Sequence, residues 1–97
     1  MDQTDAQVNR KITQILSRET QKRGIEFHAL RHRSCGYRLF VDFHLLFSSS
    51  IQLEQAHDIA CEVESILRNS LGLETEIITH LEPKINHDEI HNRWGIS

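Results

Sequence analysis

The sequence predicts an α+β protein: a two-layer αββαβ sandwich, with two helices covering one face of a three-stranded sheet. Two segments repeat apolar residues at helical spacing, three alternate apolar and polar residues with a period of two, and turn-forming or strand-breaking residues separate them. At 97 residues the chain has room for one hydrophobic core.

The first helix is predicted over about residues 4–23. Val8, Ile12, Ile15 and Leu16 form its apolar stripe, with Arg10, Lys11, Gln14 and Arg18 between them. Thr4 or Asp5 can cap its start, and Gly24, following Lys22 and Arg23, stops it. Strands are predicted from Ile25 to Arg33 and from Leu39 to Phe47, joined at Ser34-Cys35-Gly36 as an antiparallel hairpin. The second strand alternates more strongly, with Leu39, Val41, Phe43, Leu45 and Phe47 on one side and Phe40, Asp42, His44 and Leu46 on the other.

Ser48-Ser49-Ser50 breaks that strand and offers cap hydroxyls, with Gln52 placed three residues after Ser49 as in a capping box. A second helix with the stripe Ala56, Ile59, Ala60, Val63, Ile66 and Leu67 is predicted to run to about Asn69, before Gly72. A third strand runs from Glu74 to Leu81 and ends at Pro83, which cannot donate to a ladder. Residues 1–83 are thus read as one domain. Residues 84–97 are read as a polar tail, with a possible short helix around His87 to Trp94.

Composition narrows the function classes. The formal charge is −3 and the 11 basic residues are scattered, which argues against nucleic acid as a partner. No apolar run approaches the roughly 18 residues of a membrane span, so no direct membrane insertion is expected. Cys35 and Cys61 make no disulfide framework, and without an export signal a cytoplasmic location with reduced thiols is expected. No nucleophile motif or phosphate-binding loop is readable, so no enzymatic activity is expected.

Histidine is the outlier, with seven copies. Residues of equal parity share one face of a regular strand. Odd positions carry the apolar set: Ile25, Phe27 and Ala29, then the second strand's series, then Ile77 and Leu81. Even positions carry His28 and His32, His44 beside Asp42, and His80 beside Glu82, with Leu30 and Ile78 also among them. Imidazole and carboxylate are the donor set for Zn²⁺ and related divalent ions. Strands about 4.8 Å apart bring such donors within reach of one ion. Alternation therefore places a metal site on the uncovered face.

The stretches His28-Ala29-Leu30-Arg31, Phe40-Val41-Asp42-Phe43-His44-Leu45, Gln55-Ala56-His57-Asp58-Ile59-Ala60, Glu62-Val63-Glu64 and His80-Leu81-Glu82-Pro83 occur in an order that resembles the C-terminal cytoplasmic domain of cation diffusion facilitator transporters, also called the cation efflux family. The resemblance covers roughly residues 5–83. It implies a ferredoxin-like (metallochaperone-like) domain that forms a homodimer on the cytoplasmic side and binds divalent metal, typically Zn²⁺, near the dimer interface. By resemblance the ligand positions are His28, His44, His57, His80 and Glu82.

Two departures stand out: Glu82 occupies a position that is often Asp, and Cys61 stands where acidic residues are common, four residues after His57. The tail's His87, Asp88 and His91 could form an auxiliary metal site if helical. With no membrane-spanning run, the chain is expected to be an excised domain or a free-standing relative that works with a membrane cation transporter. The alternative is an interaction module of the same fold that dimerises without metal.

Overall fold

The computed structural model describes residues 4–72 and 74–84. The order is α1 (Asp5–Arg23), β1 (Glu26–Cys35), β2 (Arg38–Phe47), α2 (Leu53–Leu71) and β3 (Glu74–Pro83). The sheet order is β1-β2-β3; β2 is central, antiparallel to β1 and parallel to β3. The predicted αββαβ sandwich is therefore the observed one. The predicted tail, including its short helix and His87, Asp88 and His91, lies outside the described residues apart from Lys84.

Thr4 starts α1 with a reciprocal cap. Its side chain accepts from the Gln7 backbone N–H, and the Gln7 side chain accepts from the Thr4 N–H. Gly24 ends the helix in the left-handed region, at φ 68°, where an L side chain would be strained. Val8, Ile12, Ile15 and Leu16 are buried, as their spacing predicts. Glu19 and Thr20 on the same flank are buried too, and sequence periodicity gave no reason to place a carboxylate there. Glu19 is held by Arg18, Lys22 and Arg23, and Arg23 also reaches Glu62, which ties α1 to α2.

Strand β2 carries the core. Leu39, Val41, Phe43, Leu45 and Phe47 are buried under the helices, and every intervening residue is half-buried on the opposite face. Burying an aliphatic or aromatic side chain contributes about 1.5–3 kcal/mol. These five side chains, with the two helix stripes, hold the layers together. The β1–β2 connection is tighter than the predicted turn: Cys35 already pairs with Arg38, and Gly36 and Tyr37 make the bend.

The serines after β2 do not cap α2. Ser48 and Ser50 bond to each other, Ile51 N–H donates to the Ser48 carbonyl, and the helix begins after Gln52 without a side-chain cap. The Ser48 and Ser50 hydroxyls are used within the turn itself. Pro83 does not stop β3 short; it remains in register opposite Phe47, as an edge strand tolerates.

The largest correction concerns β1. His28 pairs with His44, but the next pair is Arg31 with Asp42, so two residues of β1, Ala29 and Leu30, oppose Phe43 alone. This is a β-bulge, and Ala29 occupies it at φ 55°. One inserted residue reverses the parity of everything beyond it. Ala29 is exposed rather than core-facing, and Leu30 packs against the core instead. Arg31 joins the open face opposite Asp42. His32 lies opposite Val41 on the helix side, where its Nε2 is 3.2 Å from Asn9 Oδ1 of α1. His32 is therefore not part of the open-face histidine set.

Candidate metal centre

The open face gathers its donors around one row of the sheet. The antiparallel register sets His28 beside His44, and the parallel register sets His44 beside His80. Three imidazoles thus lie side by side across three strands. The His28 and His44 rings meet edge-on, with centroids 5.1 Å apart; the His44 and His80 rings stack at 4.3 Å. Two residues along, Asp42 and Glu82 share the face because the strand period is two.

The carboxylates bind this row from both sides. Glu82 accepts from His44 Nδ1 at 2.5 Å and lies 3.2 Å from His28 Nε2. The imidazole beside it, His44 first and His28 second, holds the Glu82 carboxyl below its ordinary value, so the group stays ionised. Asp42 Oδ1 lies 3.2 Å from His80 Nε2, and Arg31 stands 3.6 Å from the other oxygen. Although His80 is close, Asp42 Oδ1 is buried and receives no hydrogen bond of acceptable geometry.

Among the described residues, two sets of three donors fall within 4.8 Å of one another: His28, His44 and Glu82, and Asp42, His44 and His80. The set suits a divalent ion of the zinc class. Zinc binds imidazole nitrogen and carboxylate oxygen at about 2.0–2.2 Å, which separates neighbouring tetrahedral ligands by roughly 3.3 Å. The 3.2 Å spacings of His28 to Glu82 and of His80 to Asp42 are already close to that edge length. The unpartnered Asp42 oxygen is a lone pair that an ion would satisfy. His44 belongs to both sets, but a neutral imidazole offers one lone pair, so the sets compete for it.

Of the ligand positions expected by resemblance, the fold brings His28, His44, His80 and Glu82 together, and it adds Asp42, already placed on this face by alternation. His57 is elsewhere. It is exposed on α2, its ring nitrogens 3.8 and 3.9 Å from the Cys61 sulfur, and it belongs to neither set. Cys35 is exposed near the hairpin turn.

A family model described as the cytoplasmic domain of cation efflux proteins matches residues 4–84. The chain belongs to this family. No curated protein matches it. Among solved structures, the cation efflux domain is similar to that of the zinc-transporter candidate CzrB, with 29% identity and a TM-score of 0.76 over 86% of this chain and 99% of that one. The Zn form of CzrB is similar at 30% identity and a TM-score of 0.74, covering 87% of this chain and 94% of that one. The metal-bound C-terminal domain of the CzcD transporter from Thermotoga maritima shares the fold, with a TM-score of 0.74 at 19% identity over 90% of this chain and 99% of that one. None of the described helices is long and apolar enough to cross a membrane.

Proposed function

We propose that this cation efflux domain is a cytoplasmic, non-catalytic regulatory module that binds divalent metal of the zinc class on its open sheet face and dimerises there. The observation that carries the reading is the convergence of His28, His44, His80, Glu82 and Asp42 from three strands, with one buried carboxylate oxygen left without a donor. Bound metal would supply positive charge to a face where two carboxylates stand among imidazoles.

The chain's own residues prepare the site. Glu82 fixes the His44 and His28 rings by hydrogen bonds, so little side-chain freedom is lost when an ion enters. A ring nitrogen that donates to Glu82 has no free lone pair, so each of these imidazoles ligates through its other nitrogen or after its proton moves there, and protons compete with metal for the donors, so binding weakens as pH falls. His44 commits to one ion at a time, and the remaining donors of the other set stay available to a second protomer or a second ion.

The same face supports the dimer reading. Phe40 and Leu46 are half-buried there, and Ile78, opposite Asp42, is 60% exposed. Apolar residues at the positions that should be polar on a solvated sheet face suit coverage by another surface. A second copy, or the corresponding domain of a membrane cation transporter, is the partner this reading names. Metal that binds one dimer arrangement better than another shifts the population toward it.

Calorimetric titration of chelator-stripped protein with Zn²⁺, Cd²⁺, Mn²⁺ and Fe²⁺, beside sedimentation of the same samples, tests both parts. Zn²⁺ binding that weakens as pH falls and raises the dimer fraction is expected. A dimer formed equally well in chelator, with no metal uptake, would instead identify a metal-independent interaction module.

A further inference from the structure

We infer that the hairpin end of the open face selects a second copy of this chain as its partner, through the row Arg33, Phe40 and Glu76, with Arg33 of each protomer paired to Glu76 of the other. The inference rests on the reading that this face dimerises, and it adds which partner and which orientation the face accepts.

The register builds the row. Arg33 pairs with Phe40 across β1 and β2, and Phe40 pairs with Glu76 across β2 and β3, so a cation, an aromatic ring and a carboxylate stand in line on one face. Arg31 flanks Arg33 two residues away on β1, and Glu74 flanks Glu76 on β3, so one edge of this end is basic and the other acidic. The guanidinium groups of Arg33 and Arg38 stand 5.6 and 5.7 Å from the Phe40 ring centroid, which holds them over the face rather than out at its rim. Arg31 is 3.6 Å from Asp42 and Arg38 is 2.5 Å from Glu76, but Arg33 and Glu74 have no ion-pair partner among the described residues. Arg33 is therefore a cation held in place without a carboxylate of its own.

Symmetry supplies one. Two copies meeting face to face are related by a twofold axis lying in the interface. An axis along β2 sets β1 of each copy over β3 of the other, so Arg33 meets Glu76 twice and Phe40 meets Phe40. An axis across the strands sets each edge over its own kind, arginines toward arginines and glutamates toward glutamates. Packed sheets lie about 10 Å apart, a gap that an arginine and a glutamate span together. Glu76 accepts from Arg38 through Oε1, which leaves its other oxygen for the incoming guanidinium. Exposed ion pairs add little affinity, whereas like charges set face to face are strongly unfavourable, so the row discriminates more than it binds. A domain of the same fold without an acidic β3 edge lacks the complement.

The test is sedimentation of the full chain, with Zn²⁺ and with chelator, beside Arg33→Glu, Glu76→Arg and the double variant. Both side chains are exposed, so neither change disturbs the core. Each single variant sets two like-charge contacts in its homodimer and should weaken it at least about tenfold. Mixed in equal amounts, the two single variants should form a heterodimer as tight as the wild-type dimer, because each new charge then meets its opposite. The double variant should pair with itself and not with wild type. Single variants that dimerise as tightly as wild type overturn the pairing, and so does a mixture that dimerises no better than either variant alone. A wild type that stays monomeric with and without Zn²⁺ overturns the dimer reading as well, so the two failures are told apart.

Discussion

Replacing His44 by alanine is the sharpest test of the open-face site, because His44 is the one donor common to both three-donor sets. Without it each set falls to two donors, whereas His28→Ala and His80→Ala each leave one set complete. Losing a residue that merely orients a ligand typically costs 10–100-fold in metal affinity, so losing the shared donor should cost at least about 100-fold. At a free metal concentration about 100 times the wild-type Kd, binding stabilises the fold by about 2.7 kcal/mol. With the affinity 100-fold weaker, the same concentration stabilises by only about 0.4 kcal/mol. For a domain of this size each kcal/mol shifts Tm by roughly 4–8 °C, so the metal-induced shift should shrink by about 9–18 °C. Thermal unfolding of wild type and the three variants, each with metal and with chelator, reads this directly. Subtracting the chelator value removes any effect of the substitution on the fold itself. A metal-induced shift in His44→Ala equal to that in His28→Ala or His80→Ala would refute the shared-donor reasoning.

Other regions make their own predictions. Interaction with Arg18 and then Arg23 lowers the Glu19 pKa from 4.5 to about 2, outweighing the opposing effect of burial. A depressed carboxylate stabilises the fold fully above about pH 4.5, and the stabilisation is lost as pH falls toward 2. The shift corresponds to roughly 3 kcal/mol, reduced to about 2 by solvent around the exposed Arg18 and Lys22 ends. Urea unfolding in chelator should show that penalty for Glu19→Gln at pH 7 and almost none near pH 2; a penalty independent of pH would contradict it. Phe43→Ala, in the middle of the core, should cost about 3–5 kcal/mol, a large share of a small domain's stability, and lower the urea midpoint followed by circular dichroism accordingly. Ala29→Val should destabilise by more than about 1 kcal/mol, because a β-branched residue resists positive φ, whereas Ala29→Gly should be neutral or stabilising in the same urea assay.

Most of the fold was legible because β2 and the two helices obey simple periods. The odd residues of β2 are all buried, and the helical stripes lie over them. The donors His44, His80, Asp42 and Glu82 were legible for the same reason: β2 and β3 pair without interruption from Arg38 and Glu74 to Phe47 and Pro83. What alternation could not supply was the state of β1. There, Ala29 and Leu30 are adjacent apolar residues that interrupt the alternation, but so are Leu45 and Leu46 in β2 and Ile77 and Ile78 in β3, which pair regularly with each other, so such a break does not by itself mark a bulge. A parity count carried through that break assigns His32 to the wrong face and overlooks Arg31 as the neighbour of Asp42. The buried Glu19 was illegible for a different reason: its burial depends on cations from its own helix, and a hydropathy stripe does not register paired charges.

The bulge also explains why three strands can present a compact site. Without the extra residue, a regular β1 would continue its alternation past His28 and set Leu30 and His32 on the open face. With it, Leu30 closes the core and His32 anchors the strand to Asn9 of α1. Arg31 takes the place beside Asp42. The open face is thereby left with one imidazole from each strand in a single row, and with Arg31 opposite Asp42 where a regular register would set Leu30. Positive charge there offsets Asp42 in the absence of an ion and opposes cation entry at the Asp42–His80 end. The end formed by His28, His44 and Glu82 has no arginine within ion-pair distance of its carboxylate among the described residues. The first ion is therefore expected at that end, with His44 committed to it, and the site's order of filling follows from one inserted residue in β1.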